Sequence, residues 1–183
     1  LILLGETIVK TQETVILTSS KIFNVEDYTT YVIPNYQRAY SWEESNINDF
    51  LNDINNEDDG YYIGNLLFIG NASSSDINNP KREVVDGQQR LISLALIFLA
   101  ISYKFYSFLP EHGTDKARSM YDIQSDIRRK LTTRKNSTNS LEYTLCLLKN
   151  DNEVYRSIFS FIYSDINLHR DINLLEYISN NIN

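Results

Sequence analysis

The chain has little of what most metal centres and catalytic motifs are built from. Its 183 residues include one cysteine, Cys146, and two histidines. An internal disulfide and a cysteine-based metal site are therefore excluded, and a zinc centre is not expected. No Gly-x-x-x-x-Gly-Lys-Ser/Thr loop occurs, so any nucleotide site is not of the P-loop kind. A Gly-x-Ser-x-Gly elbow is also absent, and the His-Arg-Asp of residues 169–171 lacks the other kinase motifs.

Long apolar runs are missing as well. The strongest, residues 91–101, has about half of the roughly 20 residues that span a bilayer. Residues 1–4 are apolar, but they are too few for a signal core and lack its basic start. We therefore expect no membrane segment and a reducing, cytoplasmic location. Because the sequence begins without Met and stops in Asn-Asn-Ile-Asn, we interpret it as a fragment.

Positive charge is scarce. The sequence has 17 Lys and Arg against 24 Asp and Glu, which gives a net charge of -7. This charge argues against a chain that binds DNA over its whole surface. DNA contact would need a domain outside this chain or a local patch. The one basic run, around Arg128 to Lys135, is either such a patch or a solvated helix end. Hydrophobic residues at 42% describe an ordinary globular domain.

Periodicity and breakers predict the elements of the first half. A strand at 31–33 is stopped by Pro34, and Ser41 with Glu44 forms a capping box that opens a helix. Apolar strands are expected at 61–69, buried on both faces, and at 82–85. Between them lies a Ser/Asn-rich loop, and a buried helix runs from 88 to about 109.

The second half has a helical texture. We expect helices at 116–131, at 141–148 and at 172–182, with a polar loop at 132–140. Asp151 is expected to cap one further helix, which turns Val154, Ile158, Phe161 and Ile162 inward.

Residues 84–91, Val-Val-Asp-Gly-Gln-Gln-Arg-Leu, carry the functional signal. A strand, a tight turn and a helix N-terminus make an anion seat, because the first N–H groups of a helix lack intrahelical partners. Asp86 could hold Mg²⁺, often through water, or orient a water against a phosphate. The alternative is an Asp that only caps the following helix.

The other residues of this motif also have two interpretations. Gly87 permits a positive φ and a close approach, where a side chain would occupy the phosphate position. Gln88 and Gln89 could bind the ligand without adding charge, or they are surface amides on the first helical turn. The planar guanidinium of Arg90 can bind phosphate in a bidentate manner, or it forms a structural ion pair with Asp86.

Three segments together resemble one known family. They are residues 34–42 (Pro-Asn-Tyr-Gln-Arg-Ala-Tyr-Ser-Trp), 61–65 (Tyr-Tyr-Ile-Gly-Asn) and 85–91. Their order and spacing resemble the DUF262 domains, the N-terminal domain of GmrSD-type modification-dependent restriction enzymes and related phage-defence proteins. The resemblance implies an α+β fold, a ParB/sulfiredoxin-like core with a small mixed sheet and a long buried helix. Residues 1–112 would form this core, and 113–183 a truncated helical extension.

The resemblance also implies a ligand, a nucleoside triphosphate with Mg²⁺, and a partner, a nuclease domain or subunit. Arg38 would be a second guanidinium for the triphosphate, next to Gln37, while Tyr36 would stack on the base or pack beneath the site. Gly64 lies mid-strand, where glycine suggests a close approach at a pocket wall, and Asn65 could meet a ribose or phosphate. Tyr40 and Trp42 are expected to be packing residues.

These observations lead to one function and one alternative. The first is a regulatory domain of a DNA-targeting defence protein that binds and hydrolyses a nucleoside triphosphate, with Asp86, Gln88 and Arg90 as catalytic residues. The alternative is a non-catalytic module that recognises modified DNA or a partner protein through the same pocket.

Overall fold

The computed structural model describes residues 22–23, 29–56, 62–70, 81–107, 113–134, 141–163 and 173–181. The strands in these ranges are β1 (Thr30–Val32), β2 (Leu67–Gly70), β3 (Lys81–Asp86), β4 (Thr132–Arg134), β5 (Leu141–Tyr143) and β6 (Leu145–Cys146). The helices are α1 (Glu44–Asn56), α2 (Gln88–Ser107), α3 (Asp115–Leu131), α4 (Lys149–Tyr163) and α5 (Leu174–Asn181). The predicted α+β class is confirmed.

The main sheet is small and mixed, as predicted. Its order is β2-β3-β1-β6; β1 runs parallel to both neighbours, and β2 pairs antiparallel with β3. Tyr31 in the centre lies opposite Arg82 of β3 and Leu145 of β6. Pro34 cannot donate to a ladder, so the chain leaves the sheet after Ile33, whose N–H still bonds to the Cys146 carbonyl at 2.9 Å.

Helix α2 covers this sheet and is the long buried helix that the sequence predicts. Leu91, Ala95 and Leu99 are fully buried and share one core with Val84 of β3 and Leu145 of β6. Burial of such a face against a sheet supplies most of the stability of a helix of this kind.

Helices α3 and α4 pack against α2 and are joined to it by a small polar network. Ser102 of α2 is fully buried and its hydroxyl lies 2.8 Å from that of Tyr163. Gln124 of α3 donates to the Ser102 carbonyl at 2.9 Å. The guanidinium of Arg128 stacks over the Tyr163 ring, so this part of the basic run covers an aromatic side chain.

Four sequence predictions about elements are wrong. The strand expected at 61–69 is formed only by β2, whose residues are mostly exposed because it is the edge strand. The helix expected at 141–148 is replaced by two short strands in different sheets, β5 and β6. The start of the loop expected at 132–140 is β4, which pairs with β5. Ser41 does not cap α1: Asn46 instead accepts from the Glu43 N–H at 2.9 Å.

The prediction that Asp151 caps the helix after it is also wrong. Helix α4 starts two residues earlier, at Lys149, and Asn152 donates its backbone N–H to the Leu148 carbonyl at 2.7 Å. Of the residues expected to face inward, Phe161 and Ile162 are buried, whereas Val154 is 37% exposed.

The segment expected to be a helical extension, 113–183, also contributes to the main sheet. Its strand β6 pairs with the central strand β1, and its helix α4 packs on α2. The predicted boundary at residue 112 stays a prediction, but the described part of the extension is not purely helical.

Candidate functional site

The carboxyl ends of three parallel strands meet at one edge of the sheet. Because β1, β3 and β6 point the same way, the segments that follow them emerge together. Helix α2 begins at Gln88 directly after β3, and helix α4 begins at Lys149 three residues after β6. The loop 33–43 follows the central strand β1 and passes between them. Two helix N-termini at one edge provide unpaired N–H groups and a positive dipole end.

Glutamine side chains hold loop 33–43 against this edge. Gln37 donates to the Val85 carbonyl at 2.7 Å, beyond the last pair between β1 and β3, Val32 opposite Glu83. Gln88 donates to the Arg38 carbonyl at 3.1 Å. These bonds attach the loop to the end of β3 and to the first turn of α2.

Gln89 is bonded to the same loop twice. Its amide nitrogen donates to the Ala39 carbonyl at 3.1 Å, and its oxygen accepts from the Ser41 N–H at 2.8 Å. Gln88 and Gln89 are 5% and 7% exposed, so the interpretation as surface amides is wrong. Gln89 uses its polar atoms to position the loop.

Gln88 differs from Gln89 in one respect. Its amide oxygen is buried and has no hydrogen-bond partner among the described residues. Buried acceptors without partners are rare in native proteins and call for a specific explanation. This atom lies on the first residue of α2, at the proposed anion seat, where a ligand hydroxyl or a bound water could donate to it.

Arg90 and Gly64 form one packing unit. Arg90 donates from Nη1 to the Ile63 carbonyl at 2.7 Å. Gly64 has φ +88°, and a Cβ built there would fall directly on the Arg90 guanidinium. The described residues show no ion pair between Arg90 and Asp86, so that alternative is wrong. A group does approach Gly64 closely, and it is Arg90. Gly64 lies before β2 and not within a strand, and the predicted pocket wall stays a prediction.

Gly87 has φ +81° and a close neighbour, as predicted. A Cβ there would run into the Leu66 side chain and lie 2.9 Å from the Asn65 carbonyl. The groups that exclude a side chain at Gly87 are thus Leu66 and Asn65 of the same protein. The structure contradicts the expectation that a phosphate would take this place. Just beyond, β2 and β3 change register between Leu67 and Phe68, an irregularity of the kind found next to active sites.

The remaining candidate side chains are exposed around this junction. Asp86, Arg38 and Asn65 are exposed, and Tyr36 is 68% exposed. Asn65 accepts from the Tyr62 hydroxyl at 2.5 Å. Within the described part of the chain, the carboxylate of Asp86 and the guanidinium of Arg38 have no hydrogen-bond or ion-pair partner. The alternative in which Asp86 caps α2 is therefore wrong.

The structure thus separates two groups of candidates. One group brings three segments together: Gln37, Gly64, Gly87, Gln89 and Arg90. The other group keeps at least one polar side-chain atom without a partner among the described residues: Tyr36, Arg38, Asn65, Asp86 and Gln88. No group of three or more His, Cys, Asp or Glu side chains within the described ranges could hold a metal ion. A single carboxylate with a triphosphate is a common Mg²⁺ arrangement, and the exposed carboxylate of Asp86 fits it.

The sequence did not predict the contacts of Tyr40 with Asp151 and Ser93 at this edge. Asp151 accepts from the Tyr40 N–H at 2.8 Å, joining α4 to loop 33–43, and the Tyr40 hydroxyl lies 2.9 Å from the Ser93 hydroxyl. The local pattern around Asp151 indicates only a helix start. No signal in a single sequence connects residues 111 positions apart.

This geometry defines an α+β domain with a polar site at the carboxyl edge of its parallel strands. Residues 19–183 match the family described as the GmrSD restriction endonuclease N-terminal domain, and the chain belongs to this family. The match confirms the resemblance, includes every candidate residue and places the chain among restriction and phage-defence proteins. A comparison with curated proteins found no match. In the described ranges, no helix combines the length and apolar character needed to cross a membrane.

Proposed function

We propose that the edge formed by loop 33–43, residues 62–66 and the start of α2 binds and hydrolyses a nucleoside triphosphate. In a restriction protein this reaction would regulate a nuclease domain or subunit that acts on DNA. One observation carries the proposal: Gln88 fixes the backbone of Arg38 at the N-terminus of α2. The backbone that carries the Arg38 guanidinium is thereby held at the helix end whose first N–H groups lack intrahelical partners.

The chemistry of the free groups fits a triphosphate. Arg38 can bind phosphate oxygens in a bidentate manner, and the dipole of α2 favours negative charge at the same place. Asp86 would hold Mg²⁺, which supplies charge neutralisation, or would orient the attacking water. Phosphoryl transfer needs mostly positioning and electrostatic stabilisation. The packing roles of Gln89 and Arg90 keep these groups in place.

Two variants test the proposal without touching the packed residues. Arg38→Ala should weaken Mg²⁺-nucleotide binding by on the order of tenfold to a hundredfold, the effect of a lost hydrogen bond to a charged group. Asp86→Asn should retain nucleotide binding and lose turnover. Arg118→Ala, in the exposed first turn of α3, is the matched control. Titration calorimetry gives binding, and phosphate release gives turnover.

The outcomes also decide between the two functions. Unchanged hydrolysis in both Arg38→Ala and Asp86→Asn would contradict the proposal. Salt-sensitive binding of short DNA duplexes, with no affinity for any nucleotide, would instead support the recognition module.

A further inference from the structure

A second feature lies beside this edge: a cavity of about 110 Å³ between α2 and α4. Ile92 and Leu96 of α2 form one wall, and Val154 and the ring of Tyr155 from α4 form the other. Leu147 also lines the cavity. The walls are therefore apolar, and they suit a flat, weakly polar group.

One lining residue is charged. Asp151 is a carboxylate in this apolar setting, and one of its oxygens, Oδ2, accepts from the Tyr40 N–H. A carboxylate has about four acceptor positions, so acceptor capacity remains for a ligand. An acceptor-only group beside apolar walls favours a ligand that carries N–H donors.

The cavity lies next to the proposed nucleotide site along both loop 33–43 and α2. Tyr40 lines the cavity and is two residues beyond Arg38 in loop 33–43. Ile92 is the fifth residue of α2, one turn after Gln88. The cavity thus begins one helical turn below the proposed phosphate seat, on the side where α4 packs.

The size of the cavity limits what it can accept. Pockets for whole drug-sized ligands usually measure about 300 Å³ or more, so a complete nucleotide does not fit. One planar ring does, with the attached sugar and phosphates extending to the edge. From these features, and on the basis of the proposed function, we infer that the cavity takes the nucleobase. Asp151 would select bases that carry an exocyclic amino group.

Ligand pairs test the selection directly. At least one of ATP, CTP and GTP should bind on the order of tenfold more tightly than both UTP and ITP, which lack an exocyclic amino group. In Asp151→Asn, one acceptor oxygen remains for the Tyr40 N–H while the other becomes a donor. The preference for amino-bearing bases should then fall severalfold. Asp122→Asn, on an exposed position of α3, should leave it unchanged.

A steric variant tests the location independently. Val154 is 37% exposed at the rim of the cavity, so Val154→Phe can fill the cavity without opening the core. It should weaken nucleotide binding about tenfold and leave inorganic triphosphate binding unchanged. Ile123→Phe, at a 43% exposed position of α3, is the control for an added aromatic ring.

Binding of inorganic triphosphate distinguishes a failure of the base site from a failure of the phosphate site. If triphosphate binds as tightly as every nucleotide, and neither Val154→Phe nor Asp151→Asn changes nucleotide binding, the base site is wrong and the phosphate site stands. Equal affinities for UTP, ITP and the amino-bearing nucleotides would overturn the selection by Asp151. Binding of neither triphosphate nor nucleotide would overturn the proposed function and the base site together.

Discussion

At the scale of single residues, the site requires two positions without a side chain, Gly64 and Gly87. Gly64 and Gly87 both have positive φ and both face groups that would collide with a Cβ. At Gly64 the group is the Arg90 guanidinium, which reaches across to the Ile63 carbonyl. Arg90 is therefore a positioning residue for segment 62–66, and its substitution would change the site indirectly.

Gly64→Ala should destabilise the fold. A non-glycine residue in the left-handed region costs about 1–2 kcal/mol, and displacement of Arg90 from the Ile63 carbonyl adds about 1–3 kcal/mol. Urea unfolding should show a drop of at least about 2 kcal/mol in the free energy of unfolding. The control is Gly70→Ala, because a Cβ at Gly70 meets no atom of the described residues within 4 Å. Equal effects at both positions would contradict the role assigned to Arg90.

At the scale of elements, the sequence indicated the motif-bearing part of the fold well. The strand stopped by Pro34, the strand ending at Asp86 and helix α2 all occur where the pattern predicts them. Each has a local cause: a residue that cannot donate, a glycine turn, or an all-round apolar helix. The strand–turn–helix geometry at Gly87 follows from the same local signals.

The short strands β5 and β6 were missed for an equally physical reason. Residues 141–146, Leu-Glu-Tyr-Thr-Leu-Cys, place apolar side chains at alternate positions, a period-two signal hidden in a segment with enough apolar residues for a helix. Strand β6 is formed through pairing with β1, more than a hundred residues away. Such long-range pairing overrides local propensity.

The attachment of loop 33–43 to α2 was equally invisible in the sequence, and it leads to a prediction. Gln89 makes two hydrogen bonds to the loop, while Gln88 makes one and leaves its oxygen without a partner. Gln89→Met should lower the free energy of unfolding by about 2 kcal/mol, because two part-buried hydrogen bonds to the loop backbone are lost, each worth about 1 kcal/mol. Gln88→Met should cost about 1 kcal/mol less, since it also removes an unpaired buried oxygen.

Limited proteolysis provides a second measurement of this attachment. Arg38 is exposed, and trypsin should cut after it faster in Gln89→Met than in the unmodified protein, since opening of the loop is easier. If both methionine variants lose the same stability and the cleavage rate does not change, Gln89 does not hold the loop.

At the scale of the whole molecule, an acidic chain brings its candidate site residues together at one edge of the main sheet. The net charge is -7, yet the N-termini of α2 and α4 lie at the carboxyl ends of the strands, where Gln88 holds the backbone of Arg38. The edge combines residues from both halves of the chain, because β6 and α4 complete it. A fragment ending at residue 112 would therefore lack one side of the site.

Buried ionisable groups give the whole molecule a predictable pH dependence. Desolvation by burial raises the pKa values of the Tyr155 and Tyr163 hydroxyls above 10.0 and that of the Cys146 thiol above 9.0. The unfolded chain therefore loses these protons first as the pH rises. The stability that the neutral groups contribute is complete below about pH 9 and is lost progressively above it, by up to about 1.4 kcal/mol per pH unit for each group.

Tyr155→Phe isolates the largest of these contributions. The Tyr155 hydroxyl is buried and has no hydrogen-bond partner among the described residues, so its removal should cost little or nothing at pH 7. At pH 10.5 the variant should be more stable than the unmodified protein, because the unfolded chain has one proton fewer to release. Tyr36→Phe, at a 68% exposed position, is the control for the loss of a tyrosine hydroxyl. Urea unfolding at pH 7, 9 and 10.5 measures both variants, and an unchanged slope in Tyr155→Phe would contradict the effect assigned to its burial.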